Sequence, residues 1–325
     1  MNIRRSAGTV LAACLALTAA FAYADEPWPS KPVHVIVAFA PGSTPDIVAR
    51  MVSDKLAERL GKPVIVENKP GAGGNIGTDA VAKASPDGYT LGLTISGPLA
   101  ANTLLFKKLP YNPQTDIEPV TIVATQPSVL VVSAQSGVKD VAGLLAKLAG
   151  NPGKFNYSSM GTGTISHLAM AALAARSGTE IVHVPYAGSG QAVTSILAGD
   201  TQMAVLPAAA VMPHVRAGKL TALAVATAKR SAVLPDLPTL AEAGLPDVQG
   251  DAWMGFIAPA RTPAAIVSRL QADIAQIVRS DDLKQKLHGQ LMEPVGGTPA
   301  EFRATVRADL ARWQPVIRKN NITLD

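Results

Sequence analysis

Short apolar runs, each closed by Gly, Pro, Ser or Thr and followed by apolar positions at helical spacing, recur along the chain. The first is Val33 to Leu60. Val33 to Phe39 is almost continuously apolar, the pattern of a strand covered on both faces of a parallel sheet. Pro41-Gly42-Ser43-Thr44-Pro45-Asp46 then predicts a tight loop that opens a helix. Thr44 is the expected N-cap, Pro45 the first helical residue, and Asp46 an acid in the positive first turn. Ile47, Val48, Met51, Val52, Leu56 and Leu60 give that helix its buried face. A strand, a Gly loop and a helix start leave free N–H groups where an anion binds well. The same stretch is also what an ordinary strand-to-helix turn looks like.

The pattern continues downstream. Lys62 to Asn68 and Tyr89 to Ile95 read as strands, the second ending in Ser96-Gly97-Pro98. Between them, the glycines of 71–77 miss the dinucleotide spacing at Ile76 and predict close packing of backbone on backbone. The β-prone run from Ile117 to Ser133 breaks at Gln126-Pro127, where the chain is expected to pass between domains. Phe155 to Ser158 leads into Ser159-Met160-Gly161-Thr162-Gly163-Thr164 and a helix carrying His167, which repeats the opening architecture. Ile181 to Pro185 is followed by Tyr186-Ala187-Gly188, and Thr201 to Leu206 by Pro207-Ala208. Leu220 to Thr227 and Ala252 to Pro259 are further strands. Leu240 to Ala243, Pro263 to Ser280 and Pro299 to Lys319 are the last predicted helices. Strands alternating with helices predict an α/β protein of mostly parallel sheets with helices on both faces.

A length of 325 residues suits two domains. The apolar fraction of 48% reflects Ala, Val and Leu, and no run after Asp25 is long enough to cross a bilayer. Before it, Arg4 and Arg5, the apolar stretch Val10 to Phe21 and the motif Ala22-Tyr23-Ala24 read as a signal peptide cleaved after Ala24. The rival is a lipoprotein box, Leu11-Ala12-Ala13-Cys14. The expected division is a signal peptide at 1–24, a first domain from 25–125 and 227–325, and a second domain at 126–226. Cleavage removes Cys14, the single cysteine, so a disulfide, a thiol nucleophile and a cysteine metal site are not expected. Cleavage also lowers the formal charge from +5 to +3 by removing Arg4 and Arg5. The remaining cations are scattered, which argues against nucleic acid.

The motifs of catalysis are missing. Ser189 lies between glycines without the G-x-S-x-G pattern. His34, His167, His183, His214 and His288 lack metal-ligand spacing, and Phe155 stands where a P-loop needs Ser or Thr. What remains is a set of Gly, Ser and Thr loops at the ends of strands in both domains, a two-jawed site of N–H groups and hydroxyls suited to one anion. Ser96, Pro207 and Ala208 belong to it by position. Tyr186 and Trp253 are candidate cleft walls. Asp46 is expected to order its own loop, since a carboxylate repels an anion.

The chain resembles the Bug-family receptors, the extracytoplasmic solute-binding components of tripartite tricarboxylate transporters. The matching pieces are FAPGxxxDxxAR at 39–50, ENKPGAGGNIG at 67–77, AKASPDGYTL at 82–91, YSSMGTGTxSHL at 157–168, VPYxG at 184–188, DLPTLAEAGLP at 236–246 and WMGFIAPARTP at 253–263. The resemblance implies a two-domain periplasmic-binding-protein fold, the Venus flytrap, that closes on a small organic carboxylate without cofactor or metal. It places ligand contacts at Ala40, Gly42, Ser43, Thr44 and Asp46 in one jaw. In the other it places them at Ser159, Gly161, Thr162, Gly163 and His167, with Tyr186 and Gly188. Two departures stand out: Ser43 replaces a frequent Gly, and Ala187 a frequent basic residue. The implied partners are the permease subunits of such a transporter, with the receptor a monomer. A sensory receptor that contacts a sensor kinase, and a secreted α/β enzyme acting on a small anion, are the alternatives.

Overall fold

The computed structural model describes residues 28–324, so the expected signal peptide, its cleavage site and Cys14 lie outside the described residues. Eleven strands among the described residues form two sheets. They are β1 (Val33–Val37), β2 (Val64–Asn68), β3 (Thr90–Ile95), β4 (Ile117–Gln126), β5 (Ser128–Ser133), β6 (Phe155–Ser159), β7 (Ile181–Pro185), β8 (Met203–Pro207), β9 (Leu220–Val225), β10 (Ala252–Pro259) and β11 (Glu293–Pro294). The first sheet runs β11-β4-β10-β3-β1-β2 and the second β7-β6-β8-β5-β9. The helices are α1 (Thr44–Leu60), α2 (Asn75–Ala82), α3 (Asn102–Leu105), α4 (Val141–Ala149), α5 (Ile165–Ser177), α6 (Ser189–Ala198), α7 (Ala208–Arg216), α8 (Ala264–Val278), α9 (Asp281–Gly289) and α10 (Pro299–Lys319). None is long and apolar enough to cross a membrane.

Both sheets are mixed, which corrects the expectation of mostly parallel ones. Parallel pairing joins β1 to β2 and β3, and β6 to β7 and β8. The strand that arrives from the other sheet inserts the opposite way. β10 is antiparallel to β3 and β4, and β5 is antiparallel to β8 and β9. The cause is the crossing itself: the chain enters each sheet at the end where the parallel strands finish. Ile95 pairs with Met254 near the start of β10, and Pro207 with Ser128 at the start of β5.

Alternation along the strands fills the cores. Val33, Val35, Val37, Leu91 and Leu93 face Val48, Val52 and Leu56 of α1 and Leu270 and Ile274 of α8. Ile36 and Ile257 face the opposite layer, with Val81 of α2 and Phe302 of α10. In the second sheet Leu130 and Val132 pack under α4 and α5, and Val129 and Val131 under α6 and α7. α10 spans both cores: its Trp313 and Ile317 bury against Leu105 of α3 and against Leu168 and Ala171 of α5.

The first crossing falls at Pro127, between β4 and β5. The return comes later than position 227. Leu240, Leu245 and Val248 pack in the core of the second sheet. The Val225 N–H donates to the Pro238 carbonyl, the Leu240 N–H to the Val225 carbonyl, and the Gly250 N–H to the Ala226 carbonyl. Residues 227–250 therefore belong with the second sheet; three apolar anchors hold them there. The stretch expected as a helix at 240–243 is a turn, and α9 was not anticipated. The backbone approach expected at 71–77 is found at Gly77, where a Cβ would lie 2.5 Å from the Ala38 Cα.

Candidate functional site

In the first jaw the loop after β1 is tied to the helix that follows it. Asp46 is 3% exposed and its carboxylate accepts the Gly42 N–H at 2.9 Å, Asn68 Nδ2 at 2.8 Å and Arg50 Nε at 3.1 Å. Asn68 Nδ2 also donates to the Phe39 carbonyl, which draws in the start of the loop. The hydrogen bond from Arg50, foremost among these contacts, lowers the Asp46 pKa to about 2. Asp46 is thus spent on ordering its own loop, and Gly42 takes the left-handed conformation at φ 77° that the turn requires.

The N-cap of α1 is Ser43, one residue before the expected Thr44. Its backbone is extended at φ −70° and ψ 159°, and its side chain caps no helix N–H. Pro45 therefore sits at the second helical position, which serves equally well because no N–H of the first turn has an intrahelical acceptor. Ser43 Oγ is buried without a hydrogen-bond partner. So is the Oγ of Ser96, 1% exposed, at the end of the neighbouring strand β3. Two orphaned hydroxyls thus stand at the carboxyl ends of adjacent strands. Buried polar groups are normally satisfied, so this pair of hydroxyls is available to a polar ligand.

The second jaw repeats the arrangement. Thr164, the N-cap of α5, is extended at φ −71° and ψ 160° and likewise caps no helix N–H with its side chain. Its Oγ1 donates instead to the Gly161 carbonyl at 2.7 Å, and Ser166 Oγ accepts the Met160 N–H at 2.9 Å. Gly161 and Gly163 hold positive φ of 121° and 77°, which glycine adopts without strain. Ser159, wholly buried, accepts the Gly161 N–H at 3.1 Å and contacts His183 Nε2 at 2.6 Å. This serine–histidine contact is part-buried and holds the serine to its own loop. His167 Nδ1 accepts the Gly163 N–H at 3.0 Å. Its ring stacks on His183 with centroids 3.8 Å apart and planes 7° apart. Burial, and secondarily His183, lowers the His167 pKa to about 4; burial also lowers that of His183.

The jaws meet. A Cβ on Gly163 would lie 2.8 Å from Leu105 Cδ1, on the segment that follows Ser96, and 2.9 Å from Leu324 Cδ1. Among the described residues, no group of three or more His, Cys, Asp or Glu is placed to hold a metal ion. What the geometry offers is two helix N-termini with cap side chains directed elsewhere, beside two unpaired hydroxyls.

A family model described as the tripartite tricarboxylate transporter family receptor matches residues 48–322. The chain belongs to this family. The receptor is 35% identical over 298 residues to Protein BugT of Bordetella pertussis (strain Tohama I), covering 91% of each chain. Among solved structures it is similar to an R. palustris protein with adipate, with a TM-score of 0.79, 34% identity, and 91% of this chain and 99% of that one covered. It is also similar to MatC from Rhodopseudomonas palustris with bound malate, with a TM-score of 0.74, 32% identity, and coverage of 89% and 100%. The two-domain fold of the periplasmic binding proteins is thus the fold of this receptor.

The remaining expected site residues divide. Ala40 and Thr162 are exposed at loop tips. The Tyr186 N–H is engaged by the Ser159 carbonyl, and Gly188 is the extended N-cap of α6. Pro207 caps α7, but Ala208 is fully buried and its N–H is taken by the Pro127 carbonyl. Trp253 is no cleft wall. It is 2% exposed, meets Phe302 edge-on at 5.0 Å and donates from Nε1 to Asp309 Oδ2 at 2.8 Å, because alternation along β10 turns it under α10. His183 was not among the expected site residues. Its register partner on β6 is Tyr157, two residues before Ser159, a pairing across the sheet that no local spacing signals.

Proposed function

We propose that this receptor, exported and cleaved after Ala24, captures a small organic carboxylate between its two sheets. It then hands the ligand, chemically unchanged, to the permease subunits of a tripartite tricarboxylate transporter, acting in the periplasm as a monomer. The observation that carries the reading is the matched pair of helix starts at Ser43 and Thr164. Both caps are extended and neither side chain satisfies its helix, so first-turn N–H groups of both jaws are left for a shared acceptor. The orphaned hydroxyls of Ser43 and Ser96 add two further donors. Carboxylates bound in the two R. palustris relatives support the ligand class.

Calorimetry against a panel of aliphatic, hydroxy- and aromatic carboxylates, adipate and malate included, tests it. Binding by one of them, with the ligand recovered intact, is the expected result. Consumption of a ligand would replace the receptor reading with an enzyme, and binding by none would remove the carboxylate.

A further inference from the structure

Three rings form one cluster inside the second jaw, with Tyr157 also 6.3 Å from His167. Tyr157 lies 5.0 Å from His183, and His183 lies 3.8 Å from His167. The two imidazoles come from different elements, β7 and α5, and each holds a different point of the loop between β6 and α5. His167 Nδ1 accepts the Gly163 N–H, and His183 Nε2 meets Ser159 Oγ, which in turn accepts the Gly161 N–H. Because Nδ1 of His167 is the acceptor, its ring proton sits on Nε2. With planes only 7° apart, neither ring can tilt without moving the other. The sequence reading gave His167 a ligand contact; in the structure its Nδ1 is occupied by the loop.

We infer that His167 and His183 are a stacked positioning pair, which holds residues 159–163 in the shape that presents their backbone to the ligand. The inference rests on the carboxylate reading for its effect on binding, but the bracing of the loop is testable without any ligand. A loop that must be ordered at the moment of binding lowers the apparent affinity by the fraction of time it is competent. The pair removes that loss without touching the ligand. A Leu at 167 keeps volume but accepts no hydrogen bond, whereas Asn can place an amide oxygen close to the position of Nδ1.

The test compares His167→Leu, His167→Asn and His183→Phe with the unmodified receptor. Exchange of the Gly163 and Gly161 amides is followed by NMR without ligand, and binding of adipate by calorimetry. In His167→Leu we expect the Gly163 amide to exchange roughly tenfold faster and adipate to bind roughly tenfold more weakly. His183→Phe should free Gly161 in the same way, and His167→Asn should restore protection of Gly163 and most of the affinity. Unchanged amide protection in His167→Leu overturns the inference. So does an Asn variant that protects Gly163 yet binds as weakly as Leu, since the ring would then touch the ligand itself. If the unmodified receptor binds no adipate, the amide readout still decides the bracing, and it is the carboxylate assignment for adipate that falls.

Discussion

The Asp46 carboxylate accepts the Gly42 N–H at 2.9 Å, so the first turn of α1 holds the loop in front of it. Asp46→Ala removes that acceptor together with the partner of Arg50 and Asn68. Hydrogen bonds to a charged group contribute about 1.5–3 kcal/mol, so a loss of about 2–3 kcal/mol is expected in urea unfolding. The folded pKa of about 2 lies below the ordinary value of 3.8. The stabilisation from this group is therefore present above about pH 4 and disappears as the pH falls from 4 towards 2. Unfolding at pH 7, 4 and 2.5 should show the variant and the unmodified receptor converging at the acid end.

Ser43→Ala and Ser96→Ala should behave in the opposite way. Each removes a buried hydroxyl that has no partner, so stability should hold or rise slightly. Ligand binding, if these hydroxyls face the carboxylate, should weaken by about five- to tenfold for each, equivalent to about 1 kcal/mol. Thermal unfolding and calorimetry on the same samples check both halves. A melting temperature lowered by many degrees would show that the hydroxyls have a structural role.

Acid should weaken the receptor through its histidines before it reaches Asp46. The groups facing His167 are His183 and Tyr157, with no carboxylate among the ring contacts. A folded pKa of about 4 against 6.5 means that the unfolded chain binds the extra proton between those values. Stability conferred by the neutral ring is complete above about pH 6.5 and is lost as the pH falls to about 4. Melting curves taken across that window should slope, and His167→Asn should flatten the slope. A parallel slope in the Asn variant would assign the effect to other groups.

Processing makes a fourth test. Receptor recovered from the periplasm should begin Asp25-Glu26-Pro27-Trp28, as read by N-terminal sequencing. A diacylglyceryl group on Cys14 in the membrane fraction would replace cleavage with anchoring.

How far the sequence reached depends on the range of the interaction. Strands such as Val33–Val37 and the loops behind them were legible because local spacing and turn chemistry decide them. The loop-to-helix turns at Ser43 and Gly161 were legible for the same reason. The cap slipped by one residue because Ser43 and Thr44 are both good caps and Pro45 tolerates either register. The sense of β10 was not legible, since a strand carries no mark of the direction in which distant neighbours will pair with it. His183 and Trp253 failed on the same ground: one gains its place from Tyr157 across a sheet, the other loses the cleft to Phe302 and Asp309. Gly163→Val should cost the fold, because its added atoms would strike Leu105 and Leu324, at a φ that valine resists.

The insertion of β10 between β3 and β4 has a consequence for assembly. β4 pairs with β10 and β11 only, both of which come after the whole second sheet in the chain. When the polypeptide emerges N-terminus first, this ten-residue apolar strand has no earlier strand to dock on. Every strand of the second sheet has been made by Val225, so its ladder can close while β4 waits with both edges open. The half of the molecule that starts first is thus the half that finishes last, and the period between is when a holdase chaperone has an exposed ribbon to protect.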